Sequence, residues 1–200
     1  LQAISNLTKV KTLDLAGNQI LDLSPIGQMV DLSVLYAEDN NFSDISILGS
    51  FNGLKELNLS NNKVSDLSSF SSLAEDLSYL WFVDFSKNQI VDLQGLEKLK
   101  NLRILVLSQN SIVNLSELSE MQELSSLFID FNQVSSVEPI KDLEKLRGLY
   151  ANNNQLGQDQ FIVNMTQLSE LFLYDNNLTQ KRIKEIQEAL PLVNLELTLF

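Results

Sequence analysis

Leu54-Lys-Glu-Leu57-Asn-Leu59-Ser-Asn-Asn62-Lys-Val64 decides the fold, because the same phrase returns along the whole 200-residue chain. Leu168-Ser-Glu-Leu171-Phe-Leu173-Tyr-Asp-Asn176-Asn-Leu178 is another copy. The closing asparagines stand at 18, 40, 62, 88, 110, 132, 154 and 176, spaced by 22 residues except for the 26 between Asn62 and Asn88. Within one copy, Leu127 and Ile129 alternate with Ser126, Phe128 and Asp130. That period of two marks a short strand with one buried face. After the asparagine the apolar spacing lengthens to about three, through Val134, Val137, Ile140, Leu143 and Leu146. Residues three apart stack in a 3₁₀ or tight helical turn. Each repeat is therefore strand, turn and return, and successive strands become parallel neighbours about 4.8 Å apart. The returns need more width than the strands, so the stack curves with its strands on the inner wall.

The phrase L-x-x-L-x-L-x-x-N-x-L resembles that of leucine-rich repeats. The resemblance implies an α/β solenoid: a right-handed horseshoe with a parallel β-sheet on the concave face and short 3₁₀ or helical returns on the convex face. Asn18-Gln-Ile20-Leu-Asp22-Leu23-Ser-Pro25-Ile26 and Asn88-Gln-Ile90-Val-Asp92-Leu93 are similar to the 22-residue repeats of internalin-like bacterial surface proteins. That likeness implies an exported, cell-surface module that binds a protein ligand on its concave face without catalysis. The tail from Leu178 to Pro191 is similar to the closing helix of other bacterial leucine-rich repeat proteins, whereas internalins continue into an immunoglobulin-like segment. Repeats of this length also occur in eukaryotic cytosolic phosphatase-regulatory and dynein-associated proteins. The rival expectation is thus a cytosolic scaffold or regulatory subunit that docks an enzyme such as a phosphatase.

The expected organisation is one domain over 1–200: a truncated first repeat over 1–9, eight repeats over 10–178, and a cap helix with a last strand over 179–200. Leu1, Ile4, Leu7 and Val10 fit the end of a repeat whose own strand is absent, so the natural protein is expected to continue upstream. In the 26-residue repeat, Phe70, Leu73, Leu77 and Leu80 follow helical spacing and predict a short α-helix over 69–79. Gly157-Gln-Asp159-Gln puts polar residues where a core position belongs, so that return is expected to be irregular. Thr179 is the expected N-cap of a helix ending before Pro191, with Leu195 and Leu197 supplying the final strand.

Composition narrows the chemistry. Acids outnumber bases 26 to 14, for a net charge of −12, and no basic stripe is expected. Nucleic acid and anionic membrane surfaces are therefore not expected partners. There is no histidine or cysteine, which removes the commonest general base and every thiolate site. Neither a phosphate-binding G-x-x-x-x-G-K-S/T nor a dinucleotide-binding G-x-G-x-x-G occurs, and no apolar run is long enough to span a membrane. Paired carboxylates such as Glu38-Asp39 and Glu75-Asp76 read as solvated surface. The expectation is a non-enzyme without cofactor or metal. The repeat asparagines have a structural explanation: two donors and an acceptor, turned inward at the bend, can pair backbone groups left open where the strand stops.

The inner wall carries the functional signal. Strand residues flanking the core leucines face the concave side, and nothing in the core requires aromatic rings there. Yet Tyr36, Phe82, Phe128, Tyr150, Phe172 and Tyr174 occupy such positions, with Val34, Ile104 and Val106 between them. Phe128, Tyr150 and Phe172 should form a ladder over three consecutive strands. Acids surround it, including Asp14, Glu38, Glu56, Asp84, Asp130, Glu170 and Asp175. Aromatic anchors with a polar rim are the usual make-up of a protein-binding hot spot. The expected ligand site is therefore Tyr36, Phe82, Asp84, Val106, Phe128, Asp130, Tyr150, Phe172 and Tyr174, for a protein or peptide taken up by a monomer. Gly148 is expected to leave a notch between Ser126 and Glu170 that a partner side chain fills. Trp81 and Phe131 fall at the edges of this wall. The expected location is extracellular or on a bacterial cell surface, with the cytoplasm as the alternative. A carbohydrate-binding wall is a third reading, since aromatic rings also stack on sugars.

Overall fold

A computed structural model describes residues 1–72 and 77–197. Nine three-residue strands form one parallel sheet in strict sequence order: β1 (Thr12–Asp14), β2 (Val34–Tyr36), β3 (Glu56–Asn58), β4 (Phe82–Asp84), β5 (Ile104–Val106), β6 (Ser126–Phe128), β7 (Gly148–Tyr150), β8 (Glu170–Phe172) and β9 (Asn194–Glu196). The register never slips: Leu13, Leu35, Leu57, Val83, Leu105, Leu127, Leu149, Leu171 and Leu195 are successive partners. Short 3₁₀ helices such as Ser24–Ile26, Leu96–Lys98 and Glu138–Ile140 form the returns. The architecture is the horseshoe that the repeat phrase implies.

The core runs the length of the molecule between sheet and returns. In β2 to β6 the middle residue is buried and its two neighbours are half-buried, as alternation requires. Leu15, Ala37, Leu59, Phe85, Leu107, Ile129, Ala151 and Leu173 supply the second core position of the eight strand phrases. Phe42, Phe51, Phe70 and Phe85 are fully buried, and Phe70 meets Phe85 edge-on at 5.9 Å.

The asparagines tie each repeat to the one before. Asn132 Nδ2 donates to the Leu107 carbonyl of the preceding repeat at 3.0 Å and to the Ile129 and Asp130 carbonyls of its own. Its Oδ1 accepts the Ile112 N–H at 2.9 Å. Asn40, Asn88, Asn110, Asn154 and Asn176 repeat the same four contacts. Asn62 donates likewise, but its buried Oδ1 has no partner among the described residues. The residue before each asparagine turns the chain in the left-handed region: Gly17, Asp39, Asn61, Asn153 and Asp175 tolerate this, but so must Lys87, Gln109 and Phe131. Further on, Asp22, Asp44 and Asp66 accept the N–H groups of Ser24, Ser46 and Ser68 and so start the returns. Hydrogen bonds from those serines hold the three carboxyl groups below their usual pKa.

Three expectations change. The α-helix over 69–79 is not formed in its described part, which is a 3₁₀ helix over Ser68–Ser72 followed by a turn at 77–79; Leu73, Glu75 and Asp76 lie outside the described residues. The described start of this return is a 3₁₀ turn like the others, whose i, i+3 stacking buries Leu67 and Phe70. The following return passes so close that a side chain at Gly95 (φ +108°) would run into the Leu67 carbonyl oxygen. Second, the polar stretch after Asn154 makes two orderly 3₁₀ turns, Leu156–Gln158 and Ile162–Asn164. Asp159 is buried between them, and its carboxylate accepts the N–H groups of Val137, Phe161 and Ile162. A charged side chain thus stands in a core position because backbone donors from two repeats satisfy it. The third is the notch at Gly148 on the inner wall, which the Tyr150 ring occupies.

At the far end, α1 (Gln180–Ala189) begins at Thr179, whose hydroxyl accepts the Arg182 N–H, and it buries Ile186 against the last return. The Arg182 guanidinium binds Glu185 and the Asp159 carbonyl, joining the helix to the preceding coil. β9 then pairs with β8, and Leu197 is buried.

Candidate functional site

Each strand is only three residues long, so it presents two side chains to the concave side and buries one. The bend after the strand adds a third inner position. Tyr36, Phe82, Asp84, Val106, Phe128, Asp130, Tyr150, Phe172 and Tyr174 all occupy these positions and are all half-buried. The rings therefore do not lie inside the core. None of the concave positions from Thr12 to Tyr174 carries Lys or Arg.

Phe128, Tyr150 and Phe172 are register partners on β6, β7 and β8. Their rings stack, with centroids 4.1 Å apart and planes 6° apart for the first pair, and 5.0 Å and 18° for the second. Stacking of this kind contributes roughly 0.2–1 kcal/mol per cross-strand pair. It also leaves a continuous apolar edge facing outward. Phe82 does not join the ladder; it tilts against Trp81 at 5.9 Å, on the other side of Val106. Tyr36 stands alone near the first coils.

The notch expected at Gly148 is already filled. A Cβ there would lie 2.9 Å from Cε2 of Tyr150, so the Tyr150 ring leans back over its own strand into the space a side chain would take. From that position its hydroxyl donates to Oε2 of Glu170, the register neighbour of Gly148. Glu170 holds the phenol in its neutral form and, with burial, pushes its pKa up to about 12. Tyr36 does the same with Glu56 at 3.0 Å, and its pKa is raised for the same reason. In both cases the acid lies 20 residues after the tyrosine, one strand further on. Reading the wall position by position misses this pairing, because it joins different positions of adjacent repeats; the recurring spacing of 20 was the available signal.

Part of the acidic rim has a structural task. Asp84 accepts the Ser86 N–H, and Asp130 accepts both the Asn152 N–H and the Ser108 hydroxyl. Asn152 then accepts the Tyr174 N–H, which fixes where that ring leaves the wall.

The edge residues separate. Phe131 is 54% exposed and held at φ 56°, beyond the carboxyl ends of the strands. Trp81 is half-buried on the opposite edge, in a row where each residue directly precedes a strand: Lys11, Ser33, Lys55, Trp81, Arg103, Ser125, Arg147 and Ser169. This row carries four bases and no acid. The expectation of no basic stripe is thereby corrected: the fold gathers into one row cations that lie scattered through the sequence. Beside Trp81 a cleft of about 560 Å³ is bounded by Lys55, Tyr79, Asn101 and Arg103, with Glu123 as its one acid.

Comparison with known proteins agrees with this architecture. The family described as Leucine Rich repeats (2 copies) matches residues 30–82. No curated protein matches the chain. An internalin (inlF) from Listeria monocytogenes is similar over 99% of this chain, with a TM-score of 0.89 and 29% identity. An internalin C2 (inlC2) from the same species is similar over 98%, with a TM-score of 0.84 and 26% identity. This chain spans 58% of the length of the first and 83% of the second. A plant peptide hormone receptor, RGFR1, solved in complex with RGF2, is similar over 86% of this chain and 29% of its own, with a TM-score of 0.69 and 26% identity. The chain is an internalin-like leucine-rich repeat horseshoe, a fold that suggests a protein-binding module. Among the described residues no helix is long and apolar enough to cross a membrane.

Proposed function

We propose that this chain is a non-catalytic module that captures a protein or peptide on its concave face, as part of a bacterial secreted or cell-surface protein. The ladder of Phe128, Tyr150 and Phe172 is the anchor, and Tyr36, Phe82, Asp84, Val106, Asp130 and Tyr174 extend the contact surface. The observation that carries this reading is the ladder itself: three half-exposed rings, stacked on one another with the central Tyr150 tied to Glu170, on a wall whose core needs none of them. Rings so fixed lose little further freedom when a partner arrives, which favours affinity. The absence of Lys and Arg from the concave positions, against acids at Asp14, Glu38, Glu56, Asp84, Asp130 and Glu170, favours a partner that is basic where it touches the wall. The internalin likeness supports the bacterial surface location.

The test is capture of partners by the intact chain and by the variant Phe128→Ala/Tyr150→Ala/Phe172→Ala. Loss of two ring pairs costs the fold only about 0.4–2 kcal/mol, so the variant should remain folded by circular dichroism. Its affinity for a captured partner should fall by at least about thirtyfold, the loss of one hot spot. Unchanged affinity in the folded variant sinks the proposal.

A further inference from the structure

We propose a second binding site on the flank of the sheet: the basic row centred on Trp81 takes an acidic peptide in polyproline II conformation. This site stands apart from the concave-face reading and does not depend on it. Lys11, Lys55, Arg103 and Arg147 lie on every second rung of the row. The rungs are joined by direct backbone bonds, such as Trp81 N–H to Lys55 O at 3.0 Å and Arg103 N–H to Trp81 O at 2.9 Å. Rungs about 4.8 Å apart put a cation roughly every 9.6 Å. A polyproline II chain rises about 3.1 Å per residue with three residues per turn. Every third residue of such a chain therefore returns to the same face after about 9.3 Å. An acid at each third position would meet one cation after another, while the two intervening residues pass over the rungs between.

The row is built to receive such a chain. Lys11, Lys55 and Arg103 make no side-chain hydrogen bond or ion pair among the described residues. Glu123, the acid beside Arg103 in this cleft, is bonded to Lys145, which with the more distant Arg103 charge holds its carboxyl below the usual pKa. The Arg147 guanidinium donates to the Glu144, Leu146 and Gln167 carbonyls. Between Lys55 and Arg103 the rung is Trp81, flanked by Tyr79, which is 64% exposed. Aromatic grooves are what proline-rich polyproline II segments dock into. The alternating cations then set the register, with each acid seated beside Trp81 rather than over it.

Trp81 is the chain's single tryptophan, so its fluorescence reports on this cleft alone. The intact chain is titrated with a synthetic peptide of four Glu-Pro-Pro triplets. The expected result is a saturable change in Trp81 emission that weakens with added salt. Replacing Lys55 and Arg103 together by Gln should weaken binding by roughly tenfold or more, since each removes a charge-assisted contact. The double variant's circular dichroism and melting should stay as in the parent, and the triple ladder variant described above should bind this peptide normally. Four Gln-Pro-Pro triplets should not bind, and an alternating Glu-Pro peptide, whose acids fall out of phase, should bind more weakly. The proposal is overturned if the peptide produces no response at about millimolar concentration, or if the Gln peptide or the Lys55/Arg103 variant binds equally well. It is also overturned if only a sulfated oligosaccharide or an oligonucleotide binds.

Discussion

A single hydrogen bond, from the Tyr150 hydroxyl to Glu170, links the chemistry of the inner wall to its geometry. The fold raises this phenol's pKa from the ordinary 10 to about 12, so the native state favours the neutral ring. The stabilising effect is complete below pH 10, where the phenol is neutral in both folded and unfolded chains. It is lost as pH rises from about 10 to about 12, because the unfolded chain ionises first. Ultraviolet titration should find one tyrosine titrating near 12, and Glu170→Gln should return it toward 10. A normal titration for all tyrosines of the parent chain would mean that the bond is not formed in solution. The asparagines allow a finer comparison. Asn132→Ala strands an N–H and carbonyls of two repeats, whereas Asn62→Ala strands carbonyls only. Urea unfolding should rank Asn132→Ala as the more damaging, by about 1–3 kcal/mol, the cost of one unsatisfied buried donor. The structural role of these asparagines was legible in the sequence, because an amide at a fixed point of every bend needs a backbone partner. The lean of Tyr150 over Gly148 was not, since alternation tells which face a side chain leaves from and not which way it falls along the strand.

At the level of the repeat, the bend before each asparagine demands one left-handed residue, whatever the side chain. Glycine, asparagine and aspartate meet that demand cheaply; Phe131 does not. Phe131→Asn should therefore raise the unfolding free energy by about 1 kcal/mol, measured by thermal or urea denaturation. A destabilised variant would show that the exposed ring contributes more by packing than its backbone costs. The strands and 3₁₀ returns were legible because their periods of two and three alternate along the chain without interruption. The 26-residue repeat was misread because its spacing suits an α-helix at Phe70 and Leu77, yet Phe70 reaches the same buried position from a 3₁₀ turn. Asp159 was read as an interruption of the core, because its two sets of backbone donors come from different repeats and only converge once the coils stack.

Over the whole molecule, charge and shape separate into distinct surfaces: an inner wall without bases, a flanking row without acids, and a continuous apolar interior. A net charge of −12 spread over one elongated body should make the fold more stable as salt screens its self-repulsion. The melting temperature should rise between low and physiological ionic strength, while affinity for a basic partner on the concave wall should fall. A melting temperature independent of salt would show that the charges are too far apart to matter. The horseshoe was legible from a repeat count alone, but the flanking row was not. Its bases are separated by 44 to 48 residues in sequence, and only the constant register of the sheet brings them into line. That constancy gives the molecule an unusual freedom. Duplicating or deleting one whole coil would move every group beyond it by a single step of about 4.8 Å while leaving each remaining junction chemically the same, so such a protein can be retuned like a ruler, by changing its number of divisions.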